Sequence, residues 1–179
     1  VDAGPRAGER VMLAEILRVD LDPFRHRVIL DRGAGDGVTK GQAVVDADGV
    51  FGQVTNVGPN SSEVILLSDA AHAIPVQISR NGLRTIAVGT GDARRLQLPY
   101  LPRNADVKQD DVLLTSGLGG VFPGGYPVGR VTEVERDPGA PLATVTAEPA
   151  AALDRNNEVL LVWFAPRAPD AAPPAATAP

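Results

Sequence analysis

The chain has 179 residues, a formal net charge of −5 and no cysteine, and although 44% of it is hydrophobic only 4% is aromatic. The acidic balance argues against the basic face of a nucleic-acid-binding domain, and the missing cysteines exclude disulfides and thiolate metal sites. Nineteen glycines and sixteen prolines interrupt short Val-rich runs, which favours strands and turns over long helices.

Residues 1–10 are polar and carry Gly4, Pro5 and Gly8, so they read as a leader. Residues 11–17 are apolar enough for a helix turn or a strand, and their period does not decide between the two. From Phe24 the pattern sharpens. Phe24, His26, Val28 and Leu30 alternate with Arg25, Arg27, Ile29 and Asp31, which predicts a half-buried strand with a mostly basic outer face. The turn Arg32-Gly33-Ala34-Gly35-Asp36-Gly37 follows. Further strands are expected at 42–45, 50–57, 63–67, 74–79, 85–88, 96–101, 112–115, 129–134, 143–147 and 159–164, with Phe24, Trp163 and Phe164 in the core. Short strands at this spacing mark small barrels or sandwiches. Residues 165–179 are Ala and Pro except for Arg167, Asp170 and Thr177, and read as a disordered or polyproline-II tail. The longest apolar run, 159–165, is too short to cross a bilayer. Beginning at Val1 without Met, the chain reads as an excised segment, and its lack of cysteine suits an oxidising compartment such as a bacterial periplasm.

Three echoes divide the chain into related halves. Lys40-Gly41-Gln42-Ala43-Val44-Val45 parallels Lys108-Gln109-Asp110-Asp111-Val112-Leu113. Gly52-Gln53-Val54-Thr55-Asn56-Val57 matches Gly129-Arg130-Val131-Thr132-Glu133-Val134 at Gly, Val, Thr and Val. Ser62-Glu63-Val64-Ile65-Leu66-Leu67 parallels Asn157-Glu158-Val159-Leu160-Leu161-Val162. The expected fold class is therefore all-β: two small β-barrel-like domains in tandem, at 11–74 and 75–164, with strand exchange between them left open.

Chemistry is sparse in this sequence. The two histidines, His26 and His72, stand far apart with no carboxylate spacing that marks a zinc site. A two-barrel serine hydrolase is the alternative from another class. It would use Ser116 in Thr115-Ser116-Gly117-Leu118-Gly119-Gly120, His72 or His26 as base and Asp69 as orienter. The Gly-Asp-Ser-Gly-Gly context of such proteases is absent, and a Ser-Gly pair in a glycine-rich loop reads more simply as a turn. No phosphate-binding glycine motif occurs, and no cofactor is expected. A generic β adhesion or adaptor module is the remaining alternative.

Several segments resemble the MreC family of rod shape-determining proteins: Gly49-Val50-Phe51-Gly52-Gln53-Val54, Ala73-Ile74-Pro75-Val76-Gln77 leading into Arg80-Asn81-Gly82-Leu83-Arg84, and Gly89-Thr90-Gly91. The longest is Leu113-Leu114-Thr115-Ser116-Gly117-Leu118-Gly119-Gly120-Val121-Phe122-Pro123-Gly124-Gly125-Tyr126-Pro127-Val128-Gly129. The resemblance spans roughly residues 11–164. It implies the periplasmic domain of a single-pass inner-membrane protein, two small barrels, no enzymatic activity and a scaffold role in the elongasome that maintains rod shape. It also implies self-association and contact with the elongation-specific class B transpeptidase, a penicillin-binding protein, alongside MreB, MreD, RodZ and RodA. The anchoring helix would lie outside this segment.

Aromatic side chains anchor protein interfaces, and this chain has few. Phe122 and Tyr126, flanked by Gly and Pro on a turn, are the first candidates for partner binding, with Tyr100 and Phe51 next. For Phe122 and Tyr126 the competing expectation is that they plug the mouth of the second barrel.

Overall fold

The computed structural model describes residues 10–22, 25–118 and 122–163. The leader, Phe24, Phe164 and the 165–179 tail thus lie almost wholly outside the described residues. Among those described, twelve strands form: β1 Arg10–Asp22, β2 Arg25–Leu30, β3 Ala43–Val45, β4 Val50–Val57, β5 Ser62–Leu66, β6 Ala73–Ile78, β7 Arg84–Gly89, β8 Leu96–Gln97, β9 Val112–Thr115, β10 Pro127–Glu135, β11 Thr144–Pro149 and β12 Glu158–Trp163, with one 3-10 turn at Ala34–Asp36. The ambiguous segment at 11–17 is part of β1, because β12 pairs with it antiparallel from Arg10↔Trp163 to Glu15↔Glu158. A flanking ladder decides what an undecided period cannot. Alternation holds on β2, where His26, Val28 and Leu30 are buried and Arg25 is exposed.

Two closed barrels result, as expected. One is the ring β1-β12-β3-β4-β5-β2 and the other is β10-β11-β8-β7-β6-β9. The second is continuous in sequence from 73 to 149, while the first is closed by β12, arriving from the far end of the chain. The expected division at 74/75, with 159–164 in the second barrel, is corrected accordingly: the chain crosses between barrels at 67–72 and again at 150–157, and β12 belongs to the first. Replacing β1, β2, β3, β4, β5 and β12 by β7, β8, β9, β10, β11 and β6 turns the first ring into the second. Each half thus supplies five strands to one barrel and its sixth to the other. A strand's pattern records which face is buried, not which edge it will join.

The halves agree in detail where the echo is real. In β4 the register shifts between Val54 and Asn56, and in β10 between Val131 and Glu133. The residue at each bulge is a threonine, whose hydroxyl donates to a carbonyl of the next strand: Thr55 to Glu63 and Thr132 to Thr146, both at 3.2 Å. Three residues earlier the backbones come too close for a Cβ. One on Gly52 would lie 2.1 Å from the Ile65 carbonyl oxygen, and one on Gly129 2.3 Å from that of Glu148. Gly-x-Val-Thr is therefore the sequence of a bulged strand pressed against its neighbour.

The other two echoes change. Gly41 N–H donates to Val54 O and Asp110 N–H to Val131 O, both at 2.8 Å. Thr39 N–H donates to the Gln42 side chain and Lys108 N–H to the Asp111 carboxylate. Gly41 thus corresponds to Asp110, one residue later than the sequence alignment places it. The third echo pairs β5 with β12, but the counterpart of β12 is β6, so Glu-Val-x-Leu there reflects strand composition alone. Gly41 has φ +89°, and Asp110 holds the same left-handed conformation at +74°. We expect Asp110→Gly to stabilise the protein by about 1 kcal/mol, since the Cβ clash of that conformation disappears. The lost Asp110–Arg130 ion pair is solvent-exposed and offsets little. Urea denaturation measures the difference, and a destabilised variant would refute the assignment.

Candidate functional site

The side chains of the hydrolase alternative form no Ser-His-Asp hydrogen-bonded chain among the described residues. The Ser116 hydroxyl accepts from Leu118 N–H at 3.2 Å, capping its own turn. His26 Nδ1 lies 2.6 Å from the Ser68 hydroxyl, and both residues are buried. His72 Nε2 lies 3.3 Å from Gln53 Oε1. Asp69 binds the His26 backbone N–H rather than either imidazole. Among the described residues no group of three or more His, Asp or Glu side chains could hold a metal ion, and no helix is long and apolar enough to cross a membrane.

Two buried aspartates, Asp69 and Asp46, serve the two crossings instead. At 67–72, Asp69 is 1% exposed. Its carboxylate accepts from the backbone N–H groups of His26 and Ala71, both at 2.8 Å, and from Arg27 Nε at 3.1 Å. Burial pushes this carboxyl up, but the Ala71 and His26 N–H groups and the Arg27 guanidinium prevail, holding it below the usual Asp value. From the second barrel, Gly89 and Gly91 donate their N–H groups to the His72 and Ser68 carbonyls. At 150–157, Asp46 takes the same role. Its carboxylate accepts from Asp48 and Gly49 N–H in its own turn and from Ala152 N–H and Asn156 Nδ2 of the crossing. Each crossing is thus held by a buried aspartate of the first barrel's side of the joint.

His72 gives this joint a pH dependence. Burial pushes its imidazole down to about 4, while Asp69 opposes that shift and Arg27 adds to it. Its Nδ1 is buried without a hydrogen-bond partner. A histidine depressed when folded is protonated more readily when unfolded, so its contribution is complete above its ordinary value near 6.5. That contribution is lost as pH falls from there to about 4. We expect about 3 kcal/mol of stability to disappear over that window through this group. Urea midpoints taken from pH 7.5 to 4.5 should fall more steeply for the parent chain than for His72→Gln, and parallel curves would refute the role.

Of the four aromatic candidates, Phe51 and Tyr126 are fully buried and Phe122 nearly so, whereas Tyr100 is 64% exposed. The turn after β9 folds its aromatics inward because Thr115 draws it closed. Thr115 N–H donates to Tyr126 O, its carbonyl accepts from Gly125 N–H, and its hydroxyl accepts from Tyr126 N–H. Tyr100 sits on the segment paired with 141–145, where Ala143 N–H donates to Leu101 O and Arg103 N–H to Pro141 O. Leu142, on that same partner segment, is 45% exposed. A second apolar exposure escaped the sequence reading. Leu13, Leu17, Val19 and Leu21 of β1 are 38–58% exposed. Its signal was the alternation Leu-Arg-Val-Asp-Leu-Asp at 17–22, just past the segment whose period was ambiguous.

Residues 16–163 match the family model described as rod shape-determining protein MreC, barrel core. The chain is 46% identical over 158 residues to the cell shape-determining protein MreC of Haemophilus influenzae, covering 88% of this chain and 45% of that protein. It therefore spans less than half the length of that relative. The crystal structure of MreC from Pseudomonas aeruginosa superimposes with a TM-score of 0.83 at 51% identity, over 86% of this chain and 99% of the other. A complex between penicillin-binding protein PBP2 and MreC from Helicobacter pylori also matches, with a TM-score of 0.64 over 86% of this chain and 97% of the other, at 20% identity. That last likeness speaks to the fold alone.

Proposed function

The chain belongs to the MreC family of rod shape-determining proteins, and on that premise we propose that it is a non-enzymatic periplasmic scaffold of the elongasome. In this reading it self-associates and docks the elongation-specific class B transpeptidase, as part of an inner-membrane protein working beside MreB, MreD, RodZ and RodA. The observation that carries it is the family match over both barrels, 16–163. The H. pylori relative captured with PBP2 supports a transpeptidase as partner. The polar residues of the hydrolase alternative, engaged in the fold, add to the case for a binding protein.

Tyr100 is the docking anchor of this reading. It combines a large exposed ring with the neighbouring apolar Leu142 on a segment held by backbone hydrogen bonds, so little order must be created on binding. Phe122 and Tyr126, both buried, serve the fold in this reading rather than the contact. Binding of the soluble transpeptidase domain from the same bacterium tests this by interferometry. Tyr100→Ala should weaken binding at least fivefold, the lower bound for an anchor, with an unchanged melting temperature. Phe122→Ala or Tyr126→Ala should cost about 3–5 kcal/mol of stability. No binding by the parent chain would refute the scaffold reading, and full binding by Tyr100→Ala would move the anchor elsewhere.

A further inference from the structure

We infer that residues 17–22 of β1 form a self-complementary strand edge that pairs antiparallel with the same edge of a second copy, with Val19 opposite Val19 of that copy. The inference rests on the proposed self-association and assigns it a surface.

β1 is thirteen residues long, and its two flanking ladders do not cover it equally. β12 pairs with it only over Arg10–Glu15, and the last contact on that side is Ile16 N–H to Asn157 O at 2.8 Å. β2 pairs with the opposite edge from Ile16 to Asp22. Among the described residues, then, 17–22 have a strand on one side and none on the other. Backbone groups along such an edge are a template for another strand. The side chains there are not those of a solvated edge either: Leu17 is 58%, Val19 49% and Leu21 38% exposed.

The order of residues selects the occupant. Two copies related by a two-fold axis normal to the sheet keep their faces, so even positions oppose even ones and odd oppose odd. The β1–β2 register shifts between Ile16 and Arg18, so the regular alternation runs from Arg18, and centring the pair on Val19 sets Arg18 against Asp20 of the copy, twice. Moving the centre to Arg18 sets arginine against arginine, and moving it to Asp20 sets aspartate against aspartate. Like charges directly opposite destabilise a pair. Of these three registers, only the one centred on Val19 joins Arg18 to Asp20 with no like charges opposed, and it leaves Asp22 opposite Ile16. Arg18 and Asp20 lie on the outer face, where they line a cleft with Arg27, Ile29 and Glu63, so the new ion pairs would extend that charged face.

The absence of cysteine makes the register directly testable. Residues directly opposite in an antiparallel pair have Cα atoms about 4.5–5.5 Å apart, within the span a disulfide bridges. Val19→Cys, oxidised at concentrations where the parent chain associates, should give a linked dimer. Val112→Cys, similarly exposed in the second barrel, should not. In sedimentation, Arg18→Asp should raise the dimer dissociation constant at least tenfold, and Arg18→Asp/Asp20→Arg should restore it, with circular dichroism confirming that each variant folds. Val19→Cys linking no better than the control overturns the inference, as does association indifferent to Arg18→Asp. An edge reserved for a strand of a different protein would also leave Val19→Cys unlinked. If the chain associates but these variants behave like the parent, only the surface is wrong. If the parent is monomeric throughout, the self-association proposed above falls with it, while transpeptidase binding is measured separately.

Discussion

A chain ending at Asn157 should lose the first barrel entirely while the second stays folded. β12 closes the first barrel by pairing with β1 on one side and β3 on the other. It also buries Val159, Leu161 and Val162 to within 1% of full burial. Three such side chains contribute roughly 5–9 kcal/mol, comparable to the whole stability of a domain at about 5–15 kcal/mol. An open five-stranded remnant would in addition expose two barrel edges. The second barrel runs unbroken from β6 to β11 and needs nothing from β12. Hydrogen exchange followed by mass spectrometry should show β1–β5 exchanging freely in the truncated chain, with β6–β11 still protected. Adding a peptide of residues 150–163 should restore protection to β1–β5. Uniform loss of protection in both barrels would show that the joint makes them one cooperative unit.

Gly52→Val should be among the most damaging single substitutions in the first barrel, costing more than about 4 kcal/mol. Values that high come from a short list of causes, and forced backbone movement in a packed core is among them. The added Cβ would stand 2.1 Å from the Ile65 carbonyl oxygen and 3.0 Å from both the Ile65 carbonyl carbon and Val64 Cγ1. Ile65 sits opposite Gln53 in the same ladder, so its carbonyl cannot retreat without breaking the β4–β5 pairing beside the Thr55 bulge. Gly129→Val meets the equivalent contact in the second barrel and should behave alike, whereas Gly82→Val meets nothing within 4 Å and carries only the strain of its positive φ. Soluble yield and the urea midpoint of each variant give the ranking. A Gly52→Val protein as stable as Gly82→Val would mean that β4 and β5 leave room for a Cβ at position 52.

Much of this molecule is local chemistry, and the sequence by itself determined that part. Val-rich runs broken by Gly, Pro and Asp place the strands because a half-buried strand and a tight turn each need particular residues within a few positions. The alternation of His26, Val28 and Leu30 with Arg25 and Arg27 sets which face of β2 is buried. Gly-x-Val-Thr, seen twice, marks the bulged strand of each barrel, and the likeness to MreC was carried by contiguous residues. Other features were decided only by the tertiary structure. Nothing within Glu158–Trp163 says that it closes the barrel begun nearly 150 residues earlier, because a strand's pattern specifies its buried face while its neighbours are chosen by which edges remain open. Beside Gly and Pro, Phe122 and Tyr126 could equally anchor a partner or plug the second barrel, and their sequence context does not choose. Thr115 folds their turn inward through its backbone and hydroxyl hydrogen bonds, an arrangement that leaves no trace in composition. Tyr100 stays out because the segment that carries it is held along 141–145. The open edge of β1 exists for the same kind of reason: β12 is shorter than the strand it joins, and the difference in their lengths becomes visible only when the two are paired.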